Sequence, residues 1–178
     1  DWGDGTEDSL TTHTYADYGD YTITCNGTSI PAGSTAGGIV SPVSVCTAAR
    51  IGDGIASLPN YAFEKFYSLK SVSLPDSVTN IGNNAFHSCQ SLSAVVIPQL
   101  ATSFGTYALA GCTTIEYIAL NNLPTEISQY VFDANNSLLA ITIPAAVTSI
   151  NSTAFRDCHS LKSIVIPKLV SSIGNYAF

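Results

Sequence analysis

The sequence predicts a right-handed β-solenoid, a β-rich (α+β) fold in which short units of one length stack along an axis. Three observations predict it: apolar residues recur at intervals of 23, the interval holds over six units without insertion or deletion, and every unit combines a strand pattern with a turn pattern. The apolar columns are Phe63, Phe86, Leu109, Phe132, Phe155 and Phe178; Leu58, Ile81, Phe104, Ile127, Ile150 and Ile173; Leu69, Leu92, Ile115, Leu138 and Leu161; Val72, Val95, Ile118, Ile141 and Ile164; and Leu74, Ile97, Leu120, Ile143 and Ile166.

The second copy of the unit shows both patterns. Val95 and Ile97 alternate with a period of two, which is typical of a strand with one buried face. Phe86, Cys89 and Leu92 are spaced by three, which predicts short helical or 3₁₀ turns between the parallel strands.

Gly82 recurs as Gly105 and Gly174, and we expect it to permit a tight corner of the coil. A single unit has too few apolar side chains to offset the entropy lost when 23 residues are ordered. Stacked copies share one core and add backbone hydrogen bonds between coils, so the array is stable where the unit is not.

The chain divides into residues 1–38, a partial β segment with a linker, and residues 39–178, the repeats. Residues 39–54 form a degenerate first coil, in which Val40, Cys46, Ala49 and Ile51 fall into the apolar columns. The last unit is incomplete and the chain has no initiator Met, so we expect an internal fragment of a longer protein. The open end around Leu161, Ile164 and Ile166 is expected to fray or to self-associate.

Charge excludes some partners. Charged residues make up 11% of the 178 residues, net charge is −7, and Lys and Arg number six, too few and too scattered for a phosphate-binding stripe. We therefore expect no nucleic-acid partner, and no apolar run approaches the roughly 20 residues that span a bilayer. Ser, Thr, Asn and Gly supply the polar surface, as in many extracellular β proteins.

The unit, aliphatic-x-x-Ile-Gly-x-x-Ala-Phe-x-x-Cys-x-Ser-Leu-x-x-Val-x-Ile-Pro, resembles the BspA-type leucine-rich repeat from Ile55 to Phe178. Units three and four depart from the pattern, with Leu109 for Phe, Pro124 displaced from position 121, Val131 for Ala and Asn135 for Cys. The resemblance implies a leucine-rich-repeat solenoid on the extracellular surface of a host-associated bacterium. It also implies adhesin-like binding of a protein ligand, such as a host matrix or plasma protein.

The N-terminal segment resembles part of a PKD-like β-sandwich domain. The resemblance rests on Trp2-Gly3-Asp4-Gly5-Thr6, His13-Thr14-Tyr15-Ala16 and Gly19-Asp20-Tyr21-Thr22-Ile23-Thr24. We expect a short β-hairpin-like cap on the solenoid, and Asp4-Gly5 is its strongest turn signal. The acidic turn Asp1, Asp4, Glu7 and Asp8 lacks the spacing of an EF-hand loop, and a solvated turn is favoured over calcium binding.

Cys89, Cys112 and Cys158 share one column with Phe66 and Asn135, which predicts buried free thiols. Side chains of stacked coils point in parallel, so a Cys89–Cys112 disulfide is not expected.

The sequence predicts no cofactor, no metal site and no catalytic residue. His87 with Cys89 and Cys158 with His159 are three coils apart, too far to share a zinc ion, and both His are expected to be solvated. A Gly-x-Ser-x-Gly motif, a phosphate-binding loop and a recurring carboxylate pair are all missing from the sequence. A non-enzymatic role is therefore favoured.

The residues between the strand columns are predicted to point outward and to form a nearly uncharged sheet surface. Tyr117 is its only aromatic residue and the best anchor by type. Two functions remain open: a ligand-binding module, or a structural spacer whose small residues only allow the coils to curve. The predicted binding residues are Ser73, Val96, Tyr117, Ala119, Thr142 and Val165, and the neighbouring outward column is Ser71, Ala94, Tyr117, Ala140 and Ser163.

Overall fold

The structure, a computed structural model, describes residues 12–15, 21–25, 47–51, 55–120 and 125–178. Its coils form a parallel-strand solenoid in which equivalent residues of neighbouring coils are 23 positions apart, so the predicted architecture is confirmed. We number the units from residue 55, as 55–77, 78–100, 101–123, 124–146, 147–169 and an incomplete sixth, 170–178.

An antiparallel hairpin lies at the N-terminal edge, as the sequence predicts. Strands β1 (Thr12–Tyr15) and β2 (Tyr21–Cys25) pair with each other, and β2 pairs with β3 (Ala48–Ile51). Strand β3 has the repeat register, because Ala49 lies opposite Val72. Val40 and Cys46 lie outside the described residues.

Most units contribute one short strand to each of two parallel sheets. In the first sheet, Val72 pairs with Val95, and in the second, Ile81 pairs with Phe104. The first sheet contains β3, β5 (Ser71–Ser73) and β7 (Ala94–Val95) and, after an interruption, the pair β9 (Tyr117–Ala119) and β11 (Ala140–Thr142). The second contains β4 (Ser57–Leu58), β6 (Asn80–Ile81) and β8 (Ser103–Phe104) and, after an interruption, β10 (Glu126–Ile127), β12 (Ser149–Ile150) and β13 (Ser172–Ile173).

Stacked phenylalanine rings form the centre of the core. Phe63 and Phe86 are parallel within 4° with centroids 5.3 Å apart, and Phe132 and Phe155 are also 5.3 Å apart. All four rings are buried, as predicted. Leu109 occupies the position between these two pairs, so the ring column is interrupted in the third unit.

Each unit crosses from the second sheet to the first through a turn segment, such as residues 82–93. The step of three appears there as hydrogen bonds, since Cys89 N donates to Phe86 O and Leu92 N donates to Cys89 O. Among the described residues these i→i+3 bonds form separate turns of the 3₁₀ type, in agreement with the predicted helical or 3₁₀ turns. Positive φ at positions such as Asn84 and Ser88 keeps the turns from joining into a helix. The positive-φ residues are Tyr61, Lys65, Asn84, Ser88, Tyr107, Gly111, Tyr130, Ala134, Thr153, Asp157 and Tyr176.

The glycine column is required for close approach between coils and not for a corner. A Cβ on Gly82 would lie 2.6 Å from the carbonyl carbon of Pro59, and one on Gly105 would lie 2.4 Å from Asn83 N. The expectation of a tight corner is therefore corrected: the missing side chain lets one coil pack directly on the backbone of the coil before it.

The cysteine column supplies side-chain donors to buried carbonyl groups. Cys89 Sγ donates to Phe63 O over 3.0 Å, and Cys112 Sγ donates to Phe86 O over 3.2 Å. The backbone carbonyl groups of the ring-column residues Phe63 and Phe86 are buried and cannot bond to water, so the thiol of the next coil supplies a hydrogen-bond donor instead. A Cys in this column therefore satisfies a polar group as well as filling space.

Asn135 performs the same task in the fourth unit. Its Nδ2 donates to Leu109 O over 3.0 Å, and its Oδ1 accepts from Cys112 N over 2.8 Å. The side chain is fully buried, and both of its polar atoms have partners in the third unit. The departure from Cys to Asn thus adds a second bond between units three and four.

The C-terminal coil is partly exposed, as predicted. Ile166 is 37% exposed, and Ile173 and Phe178 are 52% and 54% exposed. Phe178 stacks on Phe155 at 5.4 Å through one face of its ring. Fraying or self-association at this end stays a prediction.

Replacing Asn135 by Ala should destabilise the chain by about 2 kcal/mol, because Leu109 O and Cys112 N would lose their buried partner. Urea unfolding followed by circular dichroism measures the change. Asn135→Cys is the matched control: it restores the donor found in the other units and should cost less. Equal midpoints for Asn135→Ala and the unmodified chain would contradict this role.

Candidate binding surface

The predicted binding residues are all exposed on the first-sheet side of the solenoid, in strands or, for Val96 and Val165, in extended chain next to or beyond them. We call this surface the sheet-face strip. Its side chains are exposed, whereas the intervening Val72, Val95, Ile118 and Ile141 are buried, as the alternation predicts. The strip consists of Ser71, Ser73, Ala94, Val96, Tyr117, Ala119, Ala140, Thr142, Ser163 and Val165.

Three side chains of the strip are large, apolar and exposed. Val96 is 76% exposed, Tyr117 is 64% exposed and Val165 is 83% exposed. Tyr117 lies opposite Ala140 in the ladder between β9 and β11, so small neighbours leave its ring accessible. Its backbone is fixed by the strand, which leaves only side-chain rotation to be lost on binding.

Charged residues border the strip without entering it. Glu116 precedes Tyr117, and Lys70 and Lys162 occupy the equivalent position in the first and fifth units. Leu139, at that position in the fourth unit, is 40% exposed. A partner can therefore cover the centre of the strip without removing a charge from water, which is the costly step in burying polar surface.

The sequence reasoning missed a second arrangement, which we call the lateral stack: His87, Tyr107, Tyr130 and Arg156. The rings of Tyr107 and Tyr130 are parallel within 7° at 4.4 Å. The His87 ring meets Tyr107 edge-on at 5.9 Å, and the Arg156 guanidinium carbon lies 5.5 Å from the Tyr130 centroid. The signal was present in the sequence, because Tyr107 and Tyr130 are 23 apart.

An ion pair holds one end of the lateral stack and a hydrogen bond holds the other. Asp133 is only 5% exposed, and its carboxylate accepts from Arg156 Nε over 2.9 Å and from Nη2 over 2.7 Å. These bonds raise the pKa of the Arg156 guanidinium above its ordinary value. At the other end, His87 Nδ1 lies 3.2 Å from Glu64 Oε1.

The expectation for the two His is half right. His159 is exposed, as predicted. His87 is half-buried between Glu64, Ser88 and the Tyr107 ring, so its description as a solvated residue is wrong. The turn backbone directs the His87 side chain along the flank of the solenoid, where it contacts the side chain of Glu64 in the first unit.

The thiols are poor nucleophiles. Cys89 and Cys112 are fully buried and free, as predicted, and burial raises the pKa of Cys112 to about 12. Cys158 lies beside His159 in a pocket of about 390 Å³ at the C-terminal end, yet burial raises its pKa to about 12 as well. This pair therefore lacks the activated thiolate of a cysteine enzyme.

Metal ligands do not assemble in the part of the chain that the structure describes. Within it, three or more His, Cys, Asp or Glu side chains nowhere come close enough to hold an ion. The acidic turn Asp1, Asp4, Glu7 and Asp8 lies outside the described residues. In the described ranges, no helix is long and apolar enough to cross a lipid bilayer.

Residues 56–178 match the BspA type Leucine rich repeat region in six copies. The chain belongs to this family. The family and its solenoid fold are typically non-enzymatic and commonly mediate protein interactions. No curated protein was found to match the chain.

Solved structures with a similar fold come from several bacteria. A leucine-rich repeat protein from Bacteroides ovatus is 22% identical over 72% of this chain and 39% of that chain, with a TM-score of 0.56. The T. pallidum Leucine Rich Repeat protein is 20% identical over 91% and 86%, with a TM-score of 0.61. A leucine rich cell surface protein from Faecalibacterium prausnitzii is 23% identical over 97% and 53%, with a TM-score of 0.57. The chain thus spans well under two thirds of two of these three proteins.

In the folded chain at pH 8, Cys89 and Cys112 should not react with iodoacetamide, because burial raises both pKa values and keeps the thiols protonated. After unfolding in guanidinium both should be alkylated, and mass spectrometry of the peptides measures each site. Equal labelling before and after unfolding would show that these side chains are accessible.

Replacing Arg156 by Ala should lower the melting temperature of the chain, because the carboxylate of Asp133 would stay buried without its partner. The double variant Asp133→Ala/Arg156→Ala should regain part of this loss, since it also removes the carboxylate. Thermal melting of the three proteins checks the order. A double variant less stable than Arg156→Ala would argue against the buried charge as the cause.

Proposed function

We propose that this chain is a protein-binding, adhesin-like module of an extracellular surface protein from a host-associated bacterium, and that the sheet-face strip contacts the ligand. The observation that carries the proposal is the exposure of Val96, Tyr117 and Val165 on one uncharged side of the solenoid. A contiguous uncharged surface of this kind often marks a contact site.

The chemistry of the strip suits a protein partner. Tyr117 offers a rigid ring and a hydroxyl group, a combination common among residues that dominate interface energies. Small Ala and Ser side chains around it let a partner approach the ring closely. The strip has no cluster of cations for phosphate and no metal ligands, so a folded protein surface fits better than a nucleic acid.

The ligand class is a host matrix or plasma protein, and the location is the cell surface. Membership in the BspA-type family supports this assignment, and a similar structure belongs to a leucine rich cell surface protein. The chain itself has no catalytic activity in this proposal, and it needs no cofactor.

The alternative function is a structural spacer without a ligand of its own. Much of the strip favours it, because Ser71, Ala94, Ala140 and Ser163 differ little from unit to unit. A spacer is expected to be uniform, whereas a binder is expected to vary. Tyr117 and Glu116 break the uniformity, and this is why binding is preferred.

The domain division is part of the proposal. Residues 1–38 are a PKD-like partial β segment with a linker, and residues 39–178 are the repeats. The antiparallel pairing of β1 with β2 and of β2 with β3 supports a β cap on the first sheet.

Replacing Tyr117 by Ala should weaken binding to the ligand about tenfold or more, because central aromatic residues of interfaces cost roughly 2 kcal/mol or more when truncated. Surface plasmon resonance against a panel of purified matrix and plasma proteins measures it. Tyr67→Ala is the matched control, since Tyr67 is 44% exposed on a turn segment away from the strip. If no panel protein binds, or if both variants bind alike, the spacer function is preferred.

A further inference from the structure

Strand pairing divides the solenoid into two blocks. Among the described residues, strands β1 to β8 pair only with one another, and strands β9 to β13 pair only with one another. The first sheet is interrupted between β7 and β9, and the second between β8 and β10. Both interruptions surround one stretch of chain, the turn segment of the third unit, residues 105–116.

This turn segment is bonded to both blocks through its backbone. Towards the preceding coil, Phe86 N donates to Ala108 O over 2.8 Å. Towards the following coil, Leu109 N donates to Val131 O over 3.1 Å and Gly111 N donates to Asp133 O over 2.8 Å. Within the described ranges, no backbone hydrogen bond runs directly from residues up to 104 to residues from 117 onward.

The regular bonds of the second sheet lapse at the same place. In neighbouring coils Gly105 N donates to Ile81 O, and Asn151 N donates to Ile127 O. At the equivalent step, Phe104 O is bonded instead by the hydroxyl of Ser128, at 2.6 Å. A side chain here replaces the backbone ladder.

The core is continuous through the third unit, but its column of Phe rings is interrupted there. Other units place an aliphatic residue in the second-sheet strand and Phe in the turn, as in Ile81 and Phe86. The third unit reverses the two, with Phe104 in the strand and Leu109 in the turn. The reversal conserves volume but separates the stacked rings of the first two units from those of the fourth to sixth.

Side chains add to the backbone bonds between the turn segment and the following coil. Tyr107 stacks on Tyr130 at 4.4 Å, and Asn135 bonds both Leu109 O and Cys112 N. Among the described residues, the parallel pair of Tyr rings on this flank occurs only between the third and fourth units.

We infer that residues 105–116 are a joint between two blocks, residues 47–104 and residues 117–178, each of which unfolds cooperatively. Cooperativity in a repeat array depends on the interface between neighbouring units, so the described interface that has lost its sheet ladders, and keeps backbone bonds in the turn segment, separates before interfaces that keep their ladders. The two blocks then unfold at different denaturant concentrations, while the joint holds them together under native conditions.

Hydrogen exchange in increasing urea, read by mass spectrometry of peptides, tests the inference on the unmodified chain. We expect two groups of amides with separate urea midpoints and a boundary inside residues 105–116. A single group that exchanges together from residue 55 to residue 169 would overturn it, as would a boundary elsewhere.

Two variants sharpen the test. Phe104→Ile/Leu109→Phe restores both columns at nearly constant volume and should bring the two urea midpoints together. The matched control, Ile150→Phe/Phe155→Leu, makes the reverse exchange in the fifth repeat, inside the block of residues 117–178. It should lower stability without removing the boundary at 105–116. If the restoring variant fails to fold, the exchange pattern of the unmodified chain still decides, because two groups with this boundary support the joint and one group excludes it.

Discussion

Backbone hydrogen bonding between coils is the constraint on which this solenoid depends. Lys65 N reaches His87 O and Phe63 N reaches Ala85 O, so each residue is held one strand spacing from its equivalent 23 positions away. Side chains of one column must then touch along the axis. This is why rings stack on rings, why thiols reach the carbonyl group one coil back, and why glycine is needed where two backbones meet.

The same constraint explains what the sequence reveals and what it hides. Phe63 and Phe155 were predictable as core residues, and Val96 and Tyr117 as outward residues, because column and strand alternation fix their direction. The lateral stack was not predictable in this way. Tyr107 and Tyr130 have positive φ, so neither a period of two nor a step of three gives the direction of their side chains. Positive φ in the same segments also keeps the short turns separate, so they do not join into a continuous helix.

The sheet-face strip and the lateral stack differ in how their contacts are satisfied. Asp133, Arg156 and Tyr130 already have partners within the chain, so the lateral stack stabilises the coils and has little left to offer a ligand. The ring of Tyr117 projects from a strand between small side chains and is 64% exposed. Side chains with partners inside the chain are therefore found on the flank, and an exposed side chain available to a ligand is found on the sheet.

The unbroken interval of 23 residues bears on how such a chain changes over generations. Unequal recombination that adds or deletes one whole unit leaves every column in register, so the array can lengthen or shorten without a new core being needed. Units three to five are the exception. Asn135 of unit four bonds to Cys112 and Leu109 of unit three, so separating these two units leaves a buried amide without its partners. Arg156 of unit five pairs with the buried carboxylate of Asp133 in unit four, so separating these two units leaves a buried charge.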